Sequence, residues 1–231
     1  LKLSMYSKRE ELKKFRKLKG LLIDVRSPGE YYKGNMTNSI NIPLFDNEER
    51  SIVGTVYKNY GREKAVIKGL EFLAEKIENI IENIFEAINI YKSKKYNSKL
   101  IQPILKIYCA RGGMRSQTIS WLLEKYNLKS VTLQDGYKSY RKWILDSFNE
   151  DWEIVIIGGK TGTGKTKLLK LLDKNNYQII DLEDLACHRG STFGGLGMKK
   201  QPSNEQFENM IAEKLKGFIK SKKIIVEAES A

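Results

Sequence analysis

The chain is poor in the residues that staple or anchor proteins. Its 231 residues include two cysteines, Cys109 and Cys187, a single histidine, His188, and four prolines. Two thiols and one imidazole exclude a disulfide framework and a Cys/His zinc site. No uninterrupted apolar run approaches the ~20 residues that cross a bilayer. The N-terminus is basic, yet it has neither the apolar stretch nor the small-residue cleavage site of a secretory signal. Acidic residues are scarce as well: 28 Asp and Glu face 41 Lys and Arg, a net charge of +13. The apolar share of 41% is enough to build cores, which argues against a disordered chain. The expectation is a soluble, cytoplasmic, basic protein with no membrane partner, folded as one large domain or two small ones.

The positive charge is local. Residues 1–20 carry a net charge of +6, residues 91–106 hold five lysines, and Lys138, Arg141 and Lys142 follow. Clusters of this kind attract polyanions. Tyr91, Tyr96, Tyr137 and Tyr140 lie among them, where rings can stack on unpaired bases. Solvated lysine faces would give the same pattern without a nucleic acid, so charge alone leaves both readings open.

Short apolar runs alternate with helical patterns. Strands are expected at 22–25, 40–43, 105–108 and 130–133, and helices at about 115–126 and 138–148. Between them Val66, Leu70, Leu73, Ile77, Ile80, Ile84 and Ile88 recur at three- and four-residue spacing, a helical insertion at about 63–92 that reads as two helices or a projecting arm. The stripe is core or partner surface, and the Lys-rich 92–99 stretch is a loop. The pattern restarts after 149–152: strand 153–157, a Gly-rich turn, helix 165–172, strand 177–182, helix 203–220 and strand 223–227. Strands alternating with helices predict parallel α/β sheets in two domains, 1–149 and 150–231. The chain starts at Leu1 and stops just past a strand with little to cover it, so a fragment of a longer protein is expected.

Two loops carry the chemistry. Gly159, Lys160, Thr161, Gly162, Thr163, Gly164, Lys165 and Thr166 fit G-x-x-x-x-G-K-[ST] between a strand and a helix. Glycines let successive amides face a phosphate, the helix N-terminus adds partial positive charge, and Lys165 adds a full one. Thr166 can hold Mg²⁺ if a metal accompanies the ligand, and no other cofactor is expected. Glu227 closes the apolar run Ile224–Val226 where an acidic partner would sit, although a surface glutamate at a strand end reads equally well.

The second loop, Cys109, Ala110, Arg111, Gly112, Gly113, Met114, Arg115 and Ser116, also joins a strand to a helix. Amides curled around the sulfur and the charges of Arg111 and Arg115 favour a nucleophilic thiolate and a tetrahedral anion. C-x5-R-S spacing fits tyrosine-phosphatase loops as well as sulfurtransferases. Asp24-Val25-Arg26-x-x-x-Glu30-Tyr31-x-x-Gly34 resembles the opening motif of rhodanese domains, and Asp135-Gly136-Tyr137-Lys138-Ser139-Tyr140 resembles their closing one. Asn35 stands where that family usually has histidine. Asp24 and Arg26 are expected as a structural pair beneath the cysteine loop.

In combination, the chain resembles the tRNA 2-selenouridine synthase family, in which a rhodanese-like domain precedes a P-loop NTPase-like domain. Ile40–Leu44, the run from Glu49 to Lys58 containing Val53-Gly54-Thr55, the cysteine loop, the phosphate loop and His188-Arg189-Gly190-Ser191-x-Phe193-Gly194 occur in the matching order. The family tends to continue Glu-Ser-Arg where this chain has Glu229-Ser230-Ala231, leaving the second domain incomplete. The resemblance implies replacement of sulfur by selenium in 2-thiouridine at the tRNA wobble position through an S-geranylated intermediate. It implies Cys109 as catalytic residue, with Arg111, Gly112, Gly113, Met114 and Arg115 around selenophosphate. It implies the phosphate loop as the site of geranyl diphosphate, with His188 and Arg189 as further candidates. Cys187, lacking a glycine loop, reads as a packing residue. Rival readings are a P-loop kinase or ATPase with a rhodanese-type regulatory domain, and a non-catalytic tRNA-binding module.

Overall fold

The computed structural model describes residues 8–94, 102–159, 163–175, 177–188 and 197–227. The chain divides into two compact units, Leu1–Tyr140 and Arg141–Ala231.

The first unit is built on a parallel five-stranded sheet, β1 (Lys8–Glu10), β2 (Leu21–Asp24), β3 (Ile40–Asn41), β4 (Leu105–Tyr108) and β5 (Ser130–Leu133), in the order β1-β5-β4-β2-β3. The central strand β4 is buried along its whole length, as an apolar run flanked by two strands requires. The charged β1 forms an edge beside β5, a position where charge discourages pairing with other chains. That strand and α1 (Leu12–Lys17) lie in the Lys-rich stretch, whose composition showed no strand pattern. α2 (Pro28–Lys33) starts on a capping box: the Ser27 hydroxyl accepts from the Glu30 amide while the Glu30 carboxylate accepts from the Ser27 amide.

The insertion is longer than its apolar period. Helical backbone, α3, runs Asn47–Lys94 and is broken once, at Gly61, with φ 84° and ψ −177°. A side chain at that φ is strained, so glycine permits the break. The segment after the break agrees with the expected 63–92, whereas the segment before it is too polar to announce itself. The insertion is not an arm. Leu73, Ile80, Ile81, Ile84 and Ile88 are buried together with Leu21, Ile23, Leu105 and Ile107 of the sheet. α4 (Met114–Lys125) follows the cysteine loop and contributes Ile119, Leu122 and Leu123 to that core.

α5 (Gly136–Phe148) begins in the first unit and ends in the second. In its latter part Arg141 donates to Asn209 Oδ1 at 2.6 Å and pairs with Glu208 at 2.5 Å. These bonds tie that part of the helix to the second unit. The second unit has a parallel three-stranded sheet of β6 (Ile154–Ile157), β7 (Gln178–Ile180) and β8 (Ile224–Glu227), ordered β6-β8-β7. Its helices are α6 (Lys165–Lys174), α7 (Leu182–Ala186) and α8 (Asn204–Lys216), the last capped by the Ser203 hydroxyl. The expectation of a poorly covered last strand is overturned: β8 is central, and Ile224 and Ile225 are buried. Ile154 and Ile156 of edge strand β6 are exposed instead, at 54% and 67%.

Sequence order and spatial order differ here because the last strand inserts between the first two. Substituting Ile84, fully buried, by Ala is expected to cost about 2–5 kcal/mol. The same change at Leu70, 55% exposed, should stay within about 0.5 kcal/mol. Urea unfolding of both variants checks this, and equal losses would contradict the packing of α3 on the sheet.

Candidate anion loops

In each unit the loop of interest leaves the C-terminal end of a parallel strand and opens a helix, the position where open α/β sheets bind ligands. The cysteine loop leaves β4. Cys109 is 3% exposed, with Sγ 3.3 Å from the Ser116 hydroxyl oxygen. Ser116 in turn donates to the Gly113 carbonyl at 3.1 Å, and the Gln117 side-chain Nε2 donates to the Gly112 carbonyl at 3.1 Å. No hydrogen-bond acceptor for the amides of residues 110–115 is found among the described residues. They lie beside a buried thiol at the start of a 12-residue helix, an arrangement suited to an anion.

The closing segment shapes this loop from behind. The Tyr137 amide donates to the Cys109 carbonyl at 2.8 Å and the Lys138 amide to the Ala110 carbonyl at 3.0 Å. A Cβ on Gly136, at φ 55°, would fall 2.2 Å from the Cys109 carbonyl oxygen; one on Gly112, at φ 61°, would fall 2.5 Å from that of Leu133. Both positions therefore require glycine on conformation and on space. Tyr137 and Tyr140 are 6% and 0% exposed. This overturns their expected role as base-stacking rings, because α5 turns them into the core. Tyr91 packs partly buried against the core formed by α3 and the sheet, and Tyr96 lies outside the described residues.

Beneath the loop, Arg26 and Asp24 form the expected pair. Arg26 donates to both Asp24 oxygens, at 3.0 Å from Nε and 2.6 Å from the terminal nitrogen, and to the Gly34 carbonyl at 2.6 Å. Its guanidinium lies 3.8 Å from the Tyr137 ring centroid. Burial opposes the Arg26 charge, but the Asp24 hydrogen bonds and charge outweigh it and hold the guanidinium above its ordinary value. Burial lifts the Tyr108 phenol well above the usual range, so it stays neutral, accepting from the Met36 amide at 3.1 Å. Asn41, in the Ile40–Leu44 run, donates to the carbonyls of Asp24 and Arg26, each at 2.9 Å. Asn35 donates to the Tyr31 carbonyl at 3.2 Å, which closes the end of α2.

The two loop arginines differ. Arg111 is exposed, and no ion pair to it is found among the described residues. Arg115 is engaged: Glu30 accepts from both of its terminal nitrogens, at 2.6 and 3.1 Å, and Arg50 approaches the same carboxylate at 3.6 Å. Burial pushes the Glu30 carboxyl up, and the Arg115 bonds with the neighbouring charges bring it below its usual value. Sequence reasoning named Arg115 and quoted Glu30 only within the Asp24–Gly34 motif, with nothing to pair the two. Met114 is 42% exposed at the helix start.

In the second unit the phosphate loop leaves β6. Gly164, at φ 87°, caps α6, and the Lys165 ammonium reaches back to the Gly159 carbonyl. Gly159 has φ 153°, and a Cβ there would fall 2.8 Å from Thr163 Oγ1. Thr166 lies in the first turn of α6. Thr161 and Gly162 lie outside the described residues, as does Arg189. His188 is half-buried after α7, its amide bonded to the Glu183 carbonyl at 3.0 Å. Cys187, partly exposed and at φ 51°, is a free thiol.

Glu227 is not a surface residue. It is 3% exposed at the end of β8, and its Oε2 finds no partner among the described residues. Burial, then the Asp181 hydrogen bond and charge, and the Glu183 charge raise its carboxyl to about 7. Asp181, which caps α7 through the Asp184 amide at 2.8 Å, had no sequence signal tying it to Glu227. Only the parallel pairing of β7 with β8 brings the two together.

The site thus defines a two-unit parallel α/β protein with an anion-type loop in each unit, one centred on a thiol and one on a lysine. Residues 152–231 match the family model described as the tRNA 2-selenouridine synthase AAA domain. A curated tRNA 2-selenouridine synthase of Nitrosomonas eutropha is 36% identical over 215 residues, covering 90% of this chain and 52% of that protein. One from Proteus mirabilis is 37% identical over 193 residues, covering 83% of this chain and 49% of that protein. By sequence the chain belongs to the tRNA 2-selenouridine synthase family, and it spans about half the length of the curated relatives it matches. Among solved structures, the N-terminal domain of a putative ATP/GTP binding protein from Clostridium difficile 630 is 36% identical. That match covers 59% of this chain and 98% of that one, with a TM-score of 0.50.

Asp24→Ala, which leaves the Arg26 charge buried without its partner, is expected to destabilise the first unit by about 3–5 kcal/mol in denaturant unfolding. Glu227 titrates in the opposite sense from a salt-bridged acid. Its raised value means that the folded state holds the proton more tightly, so the stabilisation is complete below the unfolded value of 4.5 and is lost as pH rises through about 7. Glu227→Gln should remove that slope, on the order of 1–2 kcal/mol between pH 5 and 8. Thermal melts across that range check it, and parallel curves for wild type and variant would refute it.

Proposed function

We propose that the chain is the part of a tRNA 2-selenouridine synthase that carries its two reacting loops, and that the protein replaces the sulfur of wobble 2-thiouridine by selenium. The family match over 90% of the chain, with both loops intact within it, carries this reading. In the first step the uridine sulfur attacks C1 of geranyl diphosphate, forming the C–S bond as the C–O bond breaks. Lys165 and the phosphate-loop amides stabilise the departing diphosphate. In the second step the selenium of selenophosphate adds at C2 of the S-geranylated uridine, the C–S bond breaks as geranylthiolate leaves, and water cleaves the P–Se bond to release phosphate. Cys109 serves this step in a rhodanese-like domain, with the unsatisfied amides of residues 110–115 and Arg111 holding selenophosphate. Arg115, held by Glu30, fixes the start of α4 and adds its field rather than a free fork. His188 and Arg189 are further candidates for contact with the diphosphate.

Magnesium would supply charge neutralisation for the diphosphate. The buried, unpartnered Glu227 oxygen and the hydroxyl of Thr166 are hard oxygen donors of the kind it accepts. Among the described residues no group of three or more His, Cys, Asp or Glu gathers to hold a metal unaided, so most ligands would come from the diphosphate and water. The tRNA would be drawn by the basic N-terminal segment and by Lys138 and Lys142, and the target base must leave its stack for chemistry on its ring. No described helix is long and apolar enough to cross a membrane.

A second reading, a nucleotide-dependent P-loop enzyme with a rhodanese-type regulatory domain, draws on the name of the Clostridium difficile relative. Full-length protein incubated with 2-thiouridine tRNA, geranyl diphosphate and selenophosphate should yield 2-selenouridine by nucleoside mass spectrometry. Cys109→Ala should lower its formation at least a hundredfold and accumulate the S-geranyl form, whereas Lys165→Ala should block geranylation. Tight Mg²⁺-dependent ATP binding with no change in the nucleoside would favour the second reading.

A further inference from the structure

The first unit contains an apolar cavity that neither anion loop accounts for. Its volume is about 180 Å³, larger than the ~150 Å³ cavities that take up benzene. The break at Gly61 makes it. Val53 and Tyr57 come from the α3 segment before the break, and Ala65, Val66 and Leu70 from the segment after it. Phe45 closes one wall, and Met114, Arg115 and Thr118 of α4 close another. The walls are almost entirely carbon, yet the rim is open, with Tyr57 60%, Leu70 55% and Met114 42% exposed.

A gap left by imperfect packing would be sealed by such side chains; exposed apolar rims of this kind mark binding surfaces. Its position narrows the occupant. Met114 and Arg115 also belong to the cysteine loop, so the cavity adjoins the segment whose amides face no acceptor. Arg62 and Arg115 line its edge. The fitting ligand has a hydrocarbon group of somewhat more than benzene's bulk next to a polar, reacting head.

We infer that this cavity receives the hydrocarbon group carried on the uridine sulfur during the selenium step, and so selects S-prenylated over unmodified or S-methylated uridine. The inference rests on the proposed two-step reaction. It adds that the prenyl group is recognised in the first unit, by the residues flanking Cys109, and not only at the phosphate loop. Burial of apolar surface supplies the discrimination, since each further buried methylene strengthens binding.

The test uses full-length protein and an anticodon stem–loop carrying S-geranyl- or S-methyl-2-thiouridine. Dissociation constants are measured by fluorescence anisotropy without selenophosphate. Wild type should prefer the geranyl form at least tenfold. Ala65→Phe, which fills the cavity, and Leu70→Gln, which makes its exposed rim polar, should each reduce that preference to less than threefold while S-methyl binding is unchanged. Unchanged S-methyl binding also certifies the fold of each variant. Full preference in both variants, or its loss in Lys165→Ala alone, would overturn the cavity assignment. Failure of wild type to form 2-selenouridine in the turnover assay would instead overturn the underlying reaction, so the two failures are distinguishable.

Discussion

The first unit depends on one buried cation. The Arg26 guanidinium, nearly without solvent contact, is held by Asp24, by the Gly34 carbonyl and by the face of Tyr137. Such a pair contributes little net stability once desolvation is counted, but removing either member is costly. Its effect is geometric. It joins the end of β2 to the turn after α2 and to the start of α5, and α5 in turn donates two amides to the carbonyls of the cysteine loop. Those carbonyls are fixed from behind, while the loop amides find no acceptor among the described residues. Three separated sequence motifs therefore meet in one structure: the Asp24–Gly34 run, the cysteine loop and the Asp135–Tyr140 run.

The two loops solve the same problem with different emphasis. Both follow a parallel strand and precede a helix, so both gain partial positive charge from a helix N-terminus. At the cysteine loop the exposed charge is Arg111, because Glu30 occupies Arg115. At the phosphate loop the charge is Lys165, which rests on the Gly159 carbonyl. In the same unit, burial and the neighbouring Asp181 carboxylate raise the Glu227 carboxyl to about 7. A thiol-centred cradle suits a chalcogen donor and a lysine-centred one suits a diphosphate, which is the division of labour proposed for the two steps.

The insertion also builds the apolar cavity beside the cysteine loop. A single left-handed glycine folds a long helical stretch so that its second part packs on the sheet while both parts wall a cavity beside the cysteine loop. A continuous helix through residues 47–94 would not place Val53 and Leu70 around one space, since they would lie ~25 Å apart along its axis. Packing and cavity are thus consequences of the same backbone break.

Local chemistry was legible in the sequence. Glycines before a lysine, a cysteine followed by paired glycines, and alternating apolar runs specify loops, strands and helix starts through backbone freedom and solvent exclusion. These need only neighbours along the chain. The Val66–Ile88 stripe identified a helix face in part: Leu73, Ile80, Ile84 and Ile88 are buried, whereas Leu70 and Ile77 are exposed. What the sequence alone could not decide was who pairs with whom. Tyr137 reads as an exposed ring among lysines until α5 turns it onto Arg26. Arg115 reads as free until Glu30, 85 positions away, claims it. Glu227 reads as a strand-end acid until the last strand slides between the first two and buries it against Asp181. Each of these depends on which distant surfaces share the exclusion of water, and that is settled only when the chain closes on itself.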